Sequence, residues 1–240
     1  MAPDRLRRAL LAEVSAVGIT LSTDQISVLS KYLALVSRWR RRARLTAVAD
    51  PIDAARVHIA DSLLVLRAGV PAGASLIDVG SGAGLPGIPL KVARPDLDLT
   101  LLEPEARRAA FLEVAATELS LLLRVVVARA EDAAKEPSLR EQFEVAAARA
   151  VAPLPAVCEL TLPFVRAGGK TVLLKGPSVR GELQDGRAAS YVLGGGEPAL
   201  IDARLAGGER RVIVVIPKTG RTPVEFPRRS GIPQRRPLKR

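Results

Sequence analysis

Two hydrophobic rhythms divide the chain. Leu6, Leu10, Leu11, Val14 and Val17 recur every three or four residues, and Gly18 closes the segment, which is the period of a helix with one apolar face. Ser22 or Thr23 is placed to cap a second helix that carries Ile26, Leu29, Leu33 and Val36 along one side. A third helix is expected over residues 53–69, presenting Ile59, Leu63 and Leu66. From Ser75 the rhythm changes to short, almost wholly apolar runs at 76–79, 99–102, 125–128, 145–148 and 171–174, alternating with helical segments such as 105–119 and 153–165. Strands this apolar, spaced by helices, belong to a parallel sheet covered on both faces. A last strand is expected at 211–216, after a turn at Gly207 and Gly208. Beyond it Pro217, Pro223, Pro227, Pro233 and Pro237 stand among basic residues, a composition that predicts an extended, mobile tail. The expected architecture is α/β: a small N-terminal helical unit (1–70), a doubly wound, mostly parallel sheet domain (71–217) and a basic proline-rich tail (218–240).

Composition narrows the chemistry. With 240 residues, 48% hydrophobic and 25% charged, the chain can bury a core without covalent staples. One cysteine, Cys158, and one histidine, His58, exclude an internal disulfide and a zinc site built on paired thiolates, so no metal is expected. The longest stretch without a charged residue is the twelve residues 79–90, short of the roughly 20 needed to cross a bilayer. Glu13 interrupts the apolar stretch that follows Arg5, Arg7 and Arg8, so the core of a secretory signal is missing. A cytoplasmic protein with a reduced Cys158 is expected.

The net charge of +11 is uneven. Residues 217–240 hold eight Lys/Arg and one acid, and the first 60 residues hold ten basic and five acidic residues, with Arg38, Arg40, Arg41, Arg42 and Arg44 around Trp39. Basic ends on a near-neutral centre suggest a polyanion held at its flanks, although a genome rich in G and C would also inflate arginine. Only seven aromatic residues argue against a base-stacking platform.

The residues that carry chemistry follow the first strand. Asp78-Val79-Gly80-Ser81-Gly82-Ala83-Gly84-Leu85-Pro86-Gly87 is a glycine-rich turn at the carboxyl end of a strand, where open α/β sheets bind ligands. Gly82, Gly84 and Gly87 also satisfy G-x-G-x-x-G, and Glu103 follows at the distance of a ribose-binding acid, which keeps NAD as a rival. Electrostatics separates the two: a carboxylate at Asp78 repels a pyrophosphate and attracts the sulfonium and ammonium of S-adenosylmethionine. Ala130, Glu131 and Asp132 end the third strand where an adenine would lie, and Arg149 follows the fourth.

Several segments together resemble one family. Residues 78–90, DVGSGAGLPGIPL, resemble the nucleotide loop of the RsmG (GidB) family, bacterial methyltransferases that modify guanine N7 in small-subunit (16S) ribosomal RNA. Residues 56–63, RVHIADSL, are similar to the family's RH-x-x-DSL segment, Arg149-Ala150 to its post-strand arginine motif, and Leu174-Lys175-Gly176 to its LKG. The resemblance spans roughly residues 39–217 and departs where Arg44, before Leu45 and Thr46, stands in place of the usual Asn. It implies a Rossmann-like, S-adenosylmethionine-dependent enzyme. Cofactor contacts would fall on Gly80, Leu85, Ala130, Glu131 and Arg149, beside the Asp78, Gly82 and Glu103 read from the loop. Arg56 and His58 would lie near the cofactor mouth, and Lys175 would hold phosphate or carboxylate; these three are the substrate-binding candidates. Guanine N7 carries a lone pair and no proton, so no catalytic base is expected, and His58 has the alternative of a helix residue bonded to Asp61 or a carbonyl. The implied partner is 16S ribosomal RNA or a small-subunit particle, handled by a monomer. The rival reading is a methyltransferase for small molecules, which would share the loop and have no use for basic ends.

Overall fold

The computed structural model describes residues 3–149 and 151–239. Helix α1 (Pro3–Ala16) is followed by α2 (Thr23–Trp39), whose start is fixed by Ser22: its Oγ accepts the Gln25 N–H at 3.2 Å while Gln25 Oε1 accepts the Ser22 N–H at 2.8 Å, a reciprocal capping box. The third helical run begins at α3 (Pro51–Ala54), which Asp50 caps through the Ile52 N–H at 2.6 Å. It widens into a π turn (Ala55–Ala60), returns to α geometry in α4 (Asp61–Leu63), and tightens to a 3-10 end (Leu64–Ala68) closed by Gly69 at φ 67.

The α/β portion runs β1 (Ser75–Val79), α5 (Gly87–Ala93), β2 (Asp98–Leu102), α6 (Ala106–Glu118), β3 (Arg124–Val126), α7 (Ala130–Ala133), β4 (Phe143–Arg149), α8 (Leu154–Thr161), β5 (Val165–Lys175), α9 (Leu183–Val192), β6 (Ala199–Arg204), β7 (Arg210–Pro217) and α10 (Ile232–Arg235). The seven strands form one sheet in the order β3-β2-β1-β4-β5-β7-β6. The first five are parallel, and β7 runs antiparallel to both β5 and β6. Chain order reverses between β1 and β4, which opens a ligand crevice at their carboxyl ends. Three details differ from the sequence expectation. Strand β3 covers Arg124–Val126 rather than the whole apolar run 125–128, and Val127 beyond it is exposed. Strand β5 starts at Val165, because Gly168 (φ 84) and Gly169 take up a register shift against β4, where a Cβ on Gly169 would lie 2.5 Å from the Glu144 carbonyl. Strand β6 was not expected: it is an edge strand whose residues are only half covered, so it lacks the apolar run that marks its neighbours.

Each sheet face is covered. On one side Leu10, Ile26, Leu29, Tyr32 and Leu33 of α1 and α2 join Leu76, Val145 and Val172 in one cluster, so the N-terminal helices share a core with the sheet. On the other, Leu154, Val157 and Cys158 of α8 pack with Ile77, Ala146, Leu173 and Val214. Burial pushes the Cys158 thiol up to about 12, which makes it an inert core residue. Among the described residues no helix is long and apolar enough to cross a membrane.

The segment after β7 is not the extended, mobile tail its composition predicts. Lys218 is fully buried and donates to the Leu162 carbonyl at 2.8 Å and to Thr222 Oγ1. The Arg140 guanidinium donates to the carbonyls of Thr222 and Phe226 at 2.9 and 2.8 Å. Arg228 grips the fully buried carboxylate of Glu159 on α8, at 2.6 Å from Nη2. The physical reason is that the segment's partners come from far back in the chain: Glu131, Glu141 and Glu159 lie under it, and its own cations and N–H groups satisfy them.

Candidate active site

The glycine loop folds as a tight turn between β1 and α5. Gly80, Gly82 and Gly84 all take positive φ (74, 58 and 88°), where any other residue is strained. A Cβ on Gly80 would also lie 3.1 Å from Val151 Cγ2. Tyr32, fully buried on α2, donates its hydroxyl to the Ala83 carbonyl at 2.6 Å, so the N-terminal helices hold the loop from behind.

Asp78 lies beneath this loop. Its Oδ2 accepts the Gly87 N–H at 2.9 Å, while Oδ1 is buried with no partner among the described residues. Burial raises its pKa from 3.8 to about 7, against the lowering pull of the Gly87 bond and of Arg149. Gly87 opens α5, and its N–H is a donor that a pyrophosphate would use. Asp78 has taken it, which speaks against a dinucleotide.

Glu103 follows β2 directly and is 2% exposed. Its Oε2 accepts the Gly82 N–H at 2.8 Å and its Oε1 the Glu105 N–H at 2.9 Å, with Arg108 4.0 Å away. The acid is thus locked to the loop at the carboxyl side of β2. Leu85 is buried in the turn, and Ala130 and Glu131 open α7 across the crevice from Gly80. There they line a cavity of about 70 Å³ together with Leu102, Pro104 and Leu160. The space is small because the C-terminal segment covers it: Gln234 forms part of the wall, and Glu131 Oε1 accepts the Gly231 N–H at 2.6 Å.

A second cavity, of about 350 Å³, opens beyond Arg149 and is lined by Val57, His58, Asp61, Lys175 and Arg211 among others. Asp61 is its organising acid. The carboxylate, 4% exposed, takes Arg149 at 3.2 Å on one oxygen and Arg211 at 2.8 Å on the other. Arg149 also donates to the Val57 carbonyl at 2.7 Å, inside the π turn. His58 Nε2 lies 2.9 Å from Thr46 Oγ1, rather than bonded to Asp61 or a carbonyl. Burial first, then the nearby Arg149 charge, pushes the imidazole down to about 4, so it is neutral at pH 7. Lys175 donates to the Ala152 carbonyl at 2.8 Å and pairs with Glu182 at 3.3 Å. Arg56 stands apart: it is spent on Glu209 and Asp53, both at 2.9 Å, outside this cavity.

The family model described as rRNA small subunit methyltransferase G (GidB) matches residues 25–207 of the chain. The chain belongs to this family. The protein named "Ribosomal RNA small subunit methyltransferase G" in Moorella thermoacetica is 40% identical over 238 residues, covering 98% of this chain and 99% of the relative. Its namesake in Chloroflexus aggregans is 41% identical over 232 residues, covering 96% and 98%. Among solved structures, a protein of Corynebacterium glutamicum superimposes with a TM-score of 0.52 at 18% identity, over 79% of this chain and 90% of that one. A "predicted O-methyltransferase" of Agrobacterium tumefaciens does so with a TM-score of 0.51 at 21% identity, over 65% and 79%. At these identities the likeness is one of fold, the Rossmann-like fold of class I methyltransferases.

For this rRNA small subunit methyltransferase G family member, the sequence candidates other than Arg56 fall into three places. Asp78, Gly80, Gly82, Leu85 and Glu103 come together on the loop and its neighbouring strand; Ala130 and Glu131 face them; Arg149, His58 and Lys175 line the adjoining cavity. Ala150, the second residue of the post-strand motif, lies outside the described residues. Sequence reasoning gave Asp61 no role beyond a partner for His58 and missed Arg211 and Gln234. The signal for Asp61 was its spacing from His58 on one helical run, whereas Arg211 and Gln234 reach the site only through the antiparallel return of β7 and the segment after it.

Proposed function

We propose that this protein transfers a methyl group from S-adenosylmethionine to N7 of a guanine in 16S ribosomal RNA, acting in the cytoplasm as a monomer. What carries the reading is its family membership over nearly the whole chain, joined to a glycine loop whose acid, Glu103, is fixed to Gly82. The buried Oδ1 of Asp78, without a partner among the described residues and beside the positive-φ turn, suits a cationic ligand and would be left costly by an anionic one. When bound, the cofactor supplies an electrophilic methyl group on a sulfonium.

The chain's own residues have six tasks. Glu103 would accept the ribose hydroxyls, and Gly80, Gly82 and Leu85 would shape the loop around the cofactor. Ala130 and Glu131 would meet the adenine. Asp78 would balance positive charge from beneath, and Arg149, held by Asp61, would bound the side from which the nucleotide enters. His58 and Lys175 would face the guanine and its phosphate. Guanine N7 has no proton to lose, so a neutral His58 need move none, and the rate gain comes from alignment and from a preorganised field around a purine turning cationic.

The test is incubation of the chain with labelled S-adenosylmethionine and ribosomal RNA lacking modification, free and in particles, followed by mass mapping, with Glu103→Gln and Asp78→Ala alongside. Label on a small-subunit guanine N7, lost in both variants, is the expected result. Cofactor binding with no RNA methylated in either form would replace this reading with a small-molecule substrate.

A further inference from the structure

Beyond the cavity at Arg149, basic residues continue across the carboxyl edge of the sheet. Strand β4 ends at Arg149 and β5 at Lys175. Because β7 is antiparallel to β5, with Val212 opposite Lys175, its first residues Arg210 and Arg211 arrive at that same edge. Strand β6 then returns to place its last residue, Arg204, opposite Arg210. From β4 to β6 is three strand intervals, roughly 14 Å at about 4.8 Å each. A groove of about 560 Å³ runs along the far part of this row, lined by Arg67, Arg180, Arg204, Arg210, Arg211 and one acid, Asp202. Arg211 lines both this groove and the cavity that holds His58, Arg149 and Lys175.

The groove is charged beyond what the fold neutralises. Arg211 is held by Asp61 and Arg180 by Asp202 at 2.7 Å, but among the described residues Arg67, Arg204 and Arg210 form no ion pair. Arg204 and Arg210 are exposed and directly opposite each other across the β6–β7 pair, an arrangement that destabilises a sheet. Guanidinium groups converging on one concave surface form a site for phosphate oxygens, which accept from their paired N–H donors. The basic tail, by contrast, spends Arg228 and Lys218 on Glu159 and Glu141.

We propose that this groove carries the phosphate backbone of the substrate RNA, leading the strand from β6 across β7 into the cavity at Arg149 and Lys175. The inference rests on the RNA reading given above and assigns that substrate its path. Arg67, Arg204 and Arg210 are its phosphate contacts, with Arg211 at the junction.

The test uses the full chain and a fluorescently labelled single-stranded fragment of small-subunit rRNA, with anisotropy titrations at several salt concentrations. A variant carrying Arg67→Ala, Arg204→Ala and Arg210→Ala is compared with a control that removes three exposed charges elsewhere, Lys31→Ala, Arg124→Ala and Arg221→Ala. The groove variant is expected to lower the slope of log affinity against log salt by about 2, at about 0.7 per single-strand phosphate contact, with weaker binding to all RNA sequences alike and an unchanged affinity for S-adenosylmethionine. Arg204→Gln and Arg210→Gln, made singly, each lower the slope by about 0.7. Equal losses in the groove and control variants would overturn the proposal, since net charge alone would then explain binding. RNA bound through the groove by a chain that methylates none would overturn the reaction and leave the groove standing. Methylation with a wild-type salt slope in the groove variant would do the reverse.

Discussion

Replacing Asp78 with asparagine separates what this side chain costs the fold from what it does for the ligand. The carboxyl group is fully buried, has one oxygen on the Gly87 N–H and one without a partner among the described residues, and titrates near 7 instead of 3.8. With the folded pKa above the unfolded one, the native state holds a proton that the unfolded chain has released, so this group's stability is present below about pH 4 and is lost as pH rises to about 7. Each pH unit inside that window is worth about 1.4 kcal/mol, hence about 3 kcal/mol between pH 5 and pH 8. His58 works in the opposite sense, because its ring is pushed down from 6.5 to about 4 and its contribution is lost as pH falls through that range. The informative quantity is therefore the difference between wild-type and Asp78→Asn stability curves, measured by chemical denaturation without ligand at pH 5 and pH 8. Asparagine keeps an oxygen for Gly87 and carries no charge, so the variant should gain on wild type by about 3 kcal/mol over that interval. It should also bind S-adenosylmethionine more weakly at pH 8, by calorimetry, because the balancing charge is gone. A wild-type-minus-variant difference that does not change with pH would refute the reasoning about burial, and unchanged cofactor affinity would refute the assigned role.

Three further outcomes follow from the structure. Gly87→Ala would place a Cβ 2.4 Å from Leu101 Cδ2 and 2.8 Å from Asp78 Oδ2, and should destabilise the protein by about 1–3 kcal/mol, read as a lower denaturation midpoint with an unchanged slope. Arg228→Met strands the buried Glu159 carboxylate at a cost of about 3–5 kcal/mol; adding Glu159→Leu should restore most of the loss in a double-mutant cycle, and a fully additive cycle would dismiss the pair. Arg44 holds φ 49, a left-handed conformation that asparagine adopts more readily, so Arg44→Asn should raise stability by up to about 1 kcal/mol in thermal melts.

Local pattern was enough to read most of the core architecture. The apolar runs at 76–79, 99–102 and 145–148 lie inside β1, β2 and β4 because a strand buried on both faces has no polar position to blur it. The start of α2 was legible to within a residue, at Ser22 or Thr23, since a capping side chain and the N–H it serves lie within one turn. The glycine loop, Asp78 and Glu103 were legible for a similar reason: a positive-φ turn restricts residue choice at the turn itself, and β1 and β2 pair in register, Asp78 beside Leu101.

Tertiary structure alone decided the rest. The edge strand β6 carries no continuous apolar signal, and only its pairing with β7 makes it a strand. Composition says that residues 218–239 are basic and rich in proline, but whether such a segment is solvated or docked depends on buried acids 69 to 100 residues away, Glu159 and Glu131. The same holds for the arginines. Counted with the lysines against the acids, they leave a net charge of +11; the antiparallel return of β7 brings Arg204, Arg210 and Arg211 to the edge where Arg149 and Lys175 already stand. Charge and hydrophobicity are properties of residues and survive in a string, whereas a partner across the sheet is a property of three-dimensional position, and long-range electrostatics is set there.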